Sequence, residues 1–211
     1  KIPGNGVESS GAFTVGAAAT TSSIAGANIL VEANSLFIGD DVSGTTDTAA
    51  NSVAVGIDAL DAVTTGDANV AIGKSALSAV NTGGNNIAIG NQAGAALTDG
   101  TDNIAMGSNA LDDAASSARN IAIGSSALTA LNESGNTYNI GIGYDAGKSI
   151  TTGLYNTLIG HLCGDGFDTE THNLAVGVAA LGGSVAGGEY NVAVGNYGLD
   201  AVTSGDLNTG V

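Results

Sequence analysis

The side chains best suited to acid–base, nucleophilic or metal chemistry are few, and their spacing matches no catalytic pattern. The two histidines, His161 and His172, lack the His-x-x-x-His spacing of a zinc site. Cys163 is the one cysteine, so it cannot form an intrachain disulfide. A nucleophile needs a base within hydrogen-bond reach, and no sequence pattern supplies such a pair here. We therefore expect no catalytic residues and no enzyme activity.

Aspartates form two local groups that resemble metal ligands in type. Asp58, Asp61 and Asp67 lie close together, and so do Asp165 and Asp168. Clustered carboxylates are typical calcium ligands. However, the dense nine-residue Gly/Asp repeat of calcium-loaded β-rolls is absent. We expect no metal site and no cofactor, and structural calcium stays open.

Three tyrosines occupy the same kind of position, directly before an asparagine. A tyrosine ring can stack on a sugar while neighbouring carboxylates bind its hydroxyl groups, so we expect contacts to a host-surface glycan here, with plain surface packing as the alternative. The tyrosines are Tyr138, Tyr155 and Tyr190.

Composition and charge narrow the class of protein. The chain has 211 residues with 34 Gly, one Pro and only 4% aromatic residues, which favours a thin core repeated many times over one thick core. Twenty Asp and Glu against four Lys and Arg give a net charge of −16. Binding nucleic acid requires basic side chains on phosphates, so we expect neither nucleic acid nor an anionic membrane as a partner. No apolar run approaches the ~20 residues of a membrane span.

A repeat explains most of this composition. The pattern Asn–aliphatic–small–aliphatic–Gly recurs at spacings of 17 residues, except for one of 19 and one of 18. An eleventh copy begins at Asn208, so we expect a piece of a longer protein. The repeat glycines are Gly39, Gly56, Gly73, Gly90, Gly107, Gly124, Gly143, Gly160, Gly177 and Gly195.

Each repeat predicts one short strand. Aliphatic residues alternate around a small one, as in Val70-Ala71-Ile72, which is a strand signal of period two. Stacked strands of this kind form a parallel sheet. We expect an all-β parallel β-solenoid of about 17 residues per coil, with the two aliphatic columns facing the core and the alanine column facing away.

The asparagine before each strand predicts a ladder. Stacked Asn side chains can hydrogen-bond along the axis, and a turn-forming role is the alternative. Ser35 and Ser52 take this position in the first two coils. The ladder residues are Asn69, Asn86, Asn103, Asn120, Asn139, Asn156, Asn173 and Asn191.

The residues after each repeat glycine predict a corner and an apolar arc. The glycine itself is expected to need a positive φ or a close backbone approach. Three residues later stands an alanine column that contains Cys163, which we interpret as a small buried hydrophobe. The next position is usually Leu, and where it is Gly the residue three further on is large. This i, i+3 spacing suggests a single helical turn.

Two domains follow from where the repeat begins. Residues 1–33 do not fit it and are expected to form a cap or connector, with strands at 12–15 and 29–31. Residues 34–211 are expected to form the solenoid of ten repeats and a truncated eleventh.

The repeats resemble two families of fibrous proteins. The stretch Asn69-Val70-Ala71-Ile72-Gly73-Lys74-Ser75-Ala76-Leu77 resembles the repeats of bacteriophage tail fibres. Asn51-Ser52-Val53-Ala54-Val55-Gly56 is similar to the head repeats of YadA-type trimeric autotransporter adhesins. Both resemblances imply a parallel homotrimer of left-handed β-rolls on a virion or a bacterial cell surface.

With this resemblance, the apolar Ala/Leu columns predict an interface. We expect them to pack against the same stripe of two partner chains in a homotrimer. The function expected is a structural or adhesive segment of a phage tail fibre, with an adhesin head or a purely mechanical spacer as alternatives. The expected trimer stripe is Ala59, Leu60, Ala76, Leu77, Ala110, Leu111, Ala127 and Leu128.

Overall fold

The computed structural model describes residues 22–24, 27–32, 34–39, 49–183 and 188–211. In these residues the chain is all-β, without a helix, and its strands stack as a parallel β-solenoid with about 17 residues per coil. The predicted fold class is confirmed.

Thirteen strands of the described residues form one continuous sheet, and two more form a small second sheet. From β3 onwards the long sheet is parallel and the register advances by one coil per strand, as Val53 pairs with Val70 and Val70 with Ile87. The strands are β1 (Ser22–Ile24), β2 (Ala27–Glu32), β3 (Ser35–Gly39), β4 (Val53–Gly56), β5 (Val70–Ile72), β6 (Ile87–Ile89), β7 (Ile104–Met106), β8 (Ser117–Ala118), β9 (Ile121–Ile123), β10 (Gly135–Asn136), β11 (Ile140–Ile142), β12 (Thr157–Ile159), β13 (Leu174–Val176), β14 (Val192–Val194) and β15 (Thr209–Gly210).

The 19-residue coil keeps the main sheet in register by placing its extra residues elsewhere. In that coil β10 pairs in parallel with β8 to form the second sheet, and the Ser117 hydroxyl donates to the Glu133 carbonyl. Ile140 therefore still pairs with Ile121.

The N-terminal strands extend the sheet with reversed direction. β2 pairs antiparallel with β3, and β1 pairs antiparallel with β2. β2 contains the strand predicted at 29–31, and it covers the edge of the first parallel strand. The strand predicted at 12–15 lies outside the described residues.

The strands face the opposite way from the prediction. Ala71 and Ala88, in the middle of their strands, are fully buried, whereas Ile72 and Ile87 are each 38% exposed. The prediction that the aliphatic columns face the core was wrong. The coil is too flat to hold two layers of large side chains, so the small residue faces inward against the leucines of the opposite arc.

Those leucines belong to an arc that is not a helical turn. Leu60 and Leu77 are fully buried but have left-handed backbone angles, with φ of 55° and 49°. An α-helical turn requires negative φ throughout, so the expected turn was wrong. The backbone of the arc forms hydrogen bonds to the next coil, along the axis of the solenoid: the Leu60 N–H donates to the Ala76 carbonyl at 3.1 Å.

The predicted exchange of volume between neighbouring positions of the arc is confirmed. Gly94, with φ of 58°, replaces leucine in its coil. A Cβ atom there would lie 2.9 Å from both Leu77 Cδ2 and Leu97 Cδ1, so those side chains fill the space that Gly94 leaves. A Cβ atom at Gly147 would likewise lie 3.1 Å from Ile150 Cδ1. Phe167, three residues after Gly164, is also fully buried, although the atoms nearest to Gly164 belong to Leu158.

The asparagine ladder is present and fully buried. Asn103 Oδ1 accepts from the backbone N–H of Asn120 at 3.0 Å and from its Nδ2 at 3.1 Å. Asn103 Nδ2 donates to the Ser117 carbonyl of the next coil at 2.8 Å. At the first coils the serine hydroxyls take the same role, with Ser35 Oγ accepting from the Ser52 N–H. Each rung satisfies polar groups that the coil would otherwise bury without partners.

From Gly56 to Gly195 the repeat glycines have positive φ, as predicted, and from Gly56 to Gly177 they also mark close approaches between the backbones of successive coils. Gly124 has φ of 134°, and a Cβ atom there would lie 2.3 Å from the Gly143 carbonyl oxygen of the next coil. A second set of close approaches between backbones lies three residues before the ladder asparagines. A Cβ atom at Gly83 would lie 2.4 Å from the Gly100 oxygen.

Candidate functional site

The outer face of the long sheet is an exposed aliphatic surface that runs along the solenoid. We call it the sheet face, and it comprises Leu36 and Ile38 of β3 together with the first and third residues of β4 to β7, of β9 and of β11 to β14. Its members are intermediate or exposed, because the alanine between them takes the inward position. The most exposed, at 36–39%, are Leu36, Ile72, Ile87, Met106, Ile159, Leu174 and Val194.

The sheet face carries no charge. All of its positions are aliphatic except Thr157 and Met106, although the chain contains 20 Asp and Glu residues. An apolar strip without carboxylates on an acidic protein is a surface that a partner can cover without burying an unpaired charge.

The predicted trimer stripe does not lie on this surface. Its eight residues are 0–3% exposed within a single chain, so they form the core and cannot contact a partner. That assignment was wrong, because the Ala/Leu columns close the coil from the side opposite the sheet. The residues of the predicted stripe, which belong to the core, are Ala59, Leu60, Ala76, Leu77, Ala110, Leu111, Ala127 and Leu128.

Beside the sheet face, four rings stack in one line, one ring per coil. We call this the aromatic column, and it consists of Tyr138, Tyr155, His172 and Tyr190. Successive ring centroids lie 5.2, 4.8 and 4.7 Å apart, with interplanar angles of 11°, 22° and 17°. All four side chains are exposed, the tyrosines by 40–50%.

Arg119 closes one end of the aromatic column. Its guanidinium carbon lies 5.6 Å from the Tyr138 ring centroid, and its Nη1 donates to the Tyr138 hydroxyl at 2.9 Å. Arg119 also lies 3.7 Å from an Asp102 carboxylate oxygen, in an exposed pair that contributes little stability.

Three members of this column were predicted, whereas its fourth ring and the arginine at its end were not. Tyr138, Tyr155 and Tyr190 were predicted as a group, whereas His172 and Arg119 were not assigned to it. The available signal was register: His172 precedes Asn173 and Arg119 precedes Asn120, as each tyrosine precedes its own asparagine.

The stacked arrangement limits what the column can bind. Because the rings cover one another's faces, the interior rings present edges and hydroxyl groups to solvent. Stacking on a sugar requires an open ring face, which Tyr155 and His172 do not offer. The predicted glycan contacts stay a prediction, but their expected mechanism is available only at the Tyr190 end of the column, since Arg119 covers the Tyr138 end.

The backbone at the column is energetically unfavourable for bulky side chains. Tyr138, Tyr155, His172 and Tyr190 have φ of 54–58°, whereas Asn85 holds the same position at 60° in an earlier coil. Left-handed geometry costs a non-glycine residue roughly 1–2 kcal/mol, and least for Asn. Each stacked pair returns about 0.5–1.5 kcal/mol. Four such residues cost more than three stacked pairs return, so stacking offsets only part of the backbone cost in a single chain.

Among the residues that the structure describes, the other aromatic rings form no comparable array. Tyr144 and His161 pack at 5.5 Å in a tilted pair just after the corner. Tyr197 is 62% exposed with φ of 59°, and it belongs to a different column.

The remaining reactive groups have structural surroundings. Cys163 is fully buried, its Sγ lies 3.2 Å from the Ala175 carbonyl, and burial raises the pKa of the thiol to about 12. Burial also raises the pKa of Asp165, against the opposing effect of Lys148 at 3.9 Å. In the part of the chain that the structure describes, no group of three or more His, Cys, Asp or Glu side chains is placed to hold a metal ion.

Across the described residues there is also no helix with the length and apolar character needed to cross a membrane. Comparison of the chain with protein-family models, with curated proteins and with solved structures gave no match.

Proposed function

We propose that this chain is a rigid structural segment of a fibrous, surface-exposed assembly, in which copies of the chain pack together through the sheet face. The observation that carries this proposal is the uncharged aliphatic surface repeated in every coil. Such a continuous apolar strip on a single chain favours aggregation unless a partner covers it.

A second copy of the chain is the partner that fits best. The sheet face repeats once per coil, so a partner that contacts it along its length needs the same axial repeat. Another copy of the same solenoid has that repeat because its sequence is identical. The absence of carboxylates from the face also allows two acidic chains to meet there without direct repulsion.

The number of copies and the biological setting come from the resemblance of the repeats. We propose a homotrimer, left-handed in its coils, that forms part of a phage tail fibre and lies on the virion. The head of a bacterial trimeric adhesin on a cell surface is the second candidate. Neither setting involves catalysis or a cofactor, and neither uses nucleic acid or membrane as a partner.

Within this assembly, we propose a mechanical role for the segment in preference to an adhesive role. The buried ladder bonds each coil to the next, which stiffens a rod along its axis. Both ring faces of Tyr138, Tyr155 and His172 are covered, which counts against sugar stacking on them. Binding of the chain to a glycan array, lost in a Tyr155→Ala, Tyr190→Ala variant, would instead favour adhesion.

Sedimentation velocity of the full chain tests self-assembly. We expect a trimer mass for the unaltered chain and a monomer mass for a variant with Ile87→Asp and Ile159→Asp, both on the sheet face. Ile57→Asp is the matched control, because Ile57 is 55% exposed but lies off the sheet. Circular dichroism checks that each variant keeps its strands. A monomeric unaltered chain at micromolar concentration would contradict the proposal.

A further inference from the structure

The aromatic column lies directly along one border of the sheet face. Each ring stands two residues before an outward-facing strand residue, as Tyr138 does before Ile140 and His172 before Leu174. The asparagine between them points inward and is buried. The rings are exposed and Ile140 and Leu174 are at least partly exposed, so the column runs beside the edge of the sheet face at which β11 to β14 begin.

The chemistry of the column matches the border of a protein–protein contact. Tyrosine and arginine are enriched in such contacts, where a ring supplies apolar area and its hydroxyl supplies a hydrogen bond. The stacked rings present edges and hydroxyl groups outward, and none of the four positions carries a carboxylate.

Stacking also prepares the rings for association. Binding normally has an entropic cost because interface side chains lose rotamer freedom. Tyr155 and His172 each have a ring on both sides, so neighbouring rings already restrict them in the single chain. Little further ordering is needed when a partner covers their edges.

We propose that the aromatic column is the rim of the contact between copies of this chain, covered by the neighbouring copy beside the sheet face. This inference rests on the proposed self-assembly. We infer a second copy as the partner for the same reason as at the sheet face. The rings repeat once per coil, so their axial spacing matches the spacing of the coils in an identical chain. Arg119 and the tyrosine hydroxyls supply the polar bonds at that rim.

A pair of substitutions tests the rim without disturbing the coil. Tyr155→Asn with His172→Asn introduces the residue that Asn51 and Asn85 already provide at this position, with φ of 59° and 60°. Tyr197→Asn is the control, because Tyr197 is exposed and left-handed but stands off the column. The readout is the dissociation constant of the assembly, measured by sedimentation equilibrium on the full chain.

We expect the double variant to dissociate at a concentration about tenfold higher, because every chain in the assembly loses two rings from the contact, and the control to be unchanged. Hydroxyl-radical footprinting provides a second readout. In the assembly, Tyr138, Tyr155 and Tyr190 should be protected while Tyr197 stays reactive.

The outcomes separate this inference from the proposed function. If the unaltered chain is a monomer, self-assembly and the rim both fail. If the chain assembles and the sheet-face variant dissociates, but the ring variant has an unchanged dissociation constant and Tyr155 stays fully reactive, only the rim is overturned. The column is then an outward surface, open to a glycan or another ligand.

Discussion

Leu158 occupies the space that Gly164 leaves empty. A Cβ atom at Gly164 would lie 2.7 Å from Leu158 Cδ2, and one at Gly147 in the preceding coil would lie 2.8 Å from Leu158 Cδ1. Most coils place alanine on the strand and leucine on the arc, and this coil reverses the two sizes. The core keeps its volume while the residue types exchange position.

This reversal predicts a rescue. Leu158→Ala should lower the free energy of unfolding by about 2–5 kcal/mol, because it opens a cavity beside two glycines. Adding Gly164→Leu should recover part of that loss, because the coil then has alanine on the strand and leucine on the arc, as at Ala71 and Leu77. Leucine is compatible with the left-handed backbone of this arc position, since Leu77 has φ of 49°. Urea unfolding measures both. Gly164→Leu alone should destabilise the fold, and a double variant no more stable than Leu158→Ala would contradict the exchange.

The ladder predicts a graded response at Asn103. Asn103→Ala removes the acceptor for two Asn120 donors and the donor to Ser117, so we expect a loss of about 2–4 kcal/mol in unfolding free energy. Asn103→Ser should cost less, because Ser52 Oγ already accepts from the Asn69 N–H at 3.1 Å.

Asn103→Asp provides the matched control for shape. Its carboxylate keeps the acceptor but cannot donate to the Ser117 carbonyl, and it introduces a buried charge. Chemical unfolding at pH 7 should therefore rank stability as Asn, Ser and then Asp or Ala. Equal stability of all four chains would show that the ladder contributes nothing.

Alanine substitutions at two corner glycines distinguish the cost of backbone strain from the cost of steric overlap with the next coil. Gly195 has φ of 122°, and a Cβ atom there would meet nothing within 4 Å. Gly195→Ala should therefore cost only the strain of its backbone, about 1–3 kcal/mol. Gly124→Ala adds the overlap with the Gly143 oxygen and should be clearly less stable in thermal unfolding. Equal costs would mean that the coils separate to admit a methyl group.

Cys163 predicts a pH dependence with a definite sign. Burial raises the pKa of its thiol in the folded chain to about 12, so folding favours the neutral thiol. Its contribution to stability is therefore full below the thiol's ordinary pKa and is lost as the pH rises towards 12. At pH 8 a thiol reagent should label the folded chain about a thousandfold more slowly than the urea-unfolded chain.

Cys163→Ala is the control for that measurement. Ala146 and Ala180 hold the equivalent position in adjacent coils and are fully buried, so the variant should fold with nearly unchanged stability. It should also lose the part of the alkaline destabilisation that comes from the thiol. Rapid labelling of the native chain would place the thiol at the surface and contradict its burial.

The sequence by itself determined the period, the parallel stacking, the Asn ladder and the glycine corners. Each depends on one residue type that recurs at one position, and stacking identical positions produces the contact directly. Asn103 above Asn120 and Gly124 above Gly143 are consequences of the 17- and 19-residue spacings, because the same coil geometry brings each residue over its counterpart.

Only the tertiary structure decided which side of the sheet is inside. Alternation places Ala71 and Ile72 on opposite faces, but both faces are apolar, so the pattern cannot say which one is buried. The answer comes from the leucines across the coil: with Leu77 filling a flat interior, only an alanine fits opposite it. For the same reason Leu60 and Leu77 are core residues, and the surface available to a partner is the aliphatic sheet face with the rings of Tyr155 and His172 at its border.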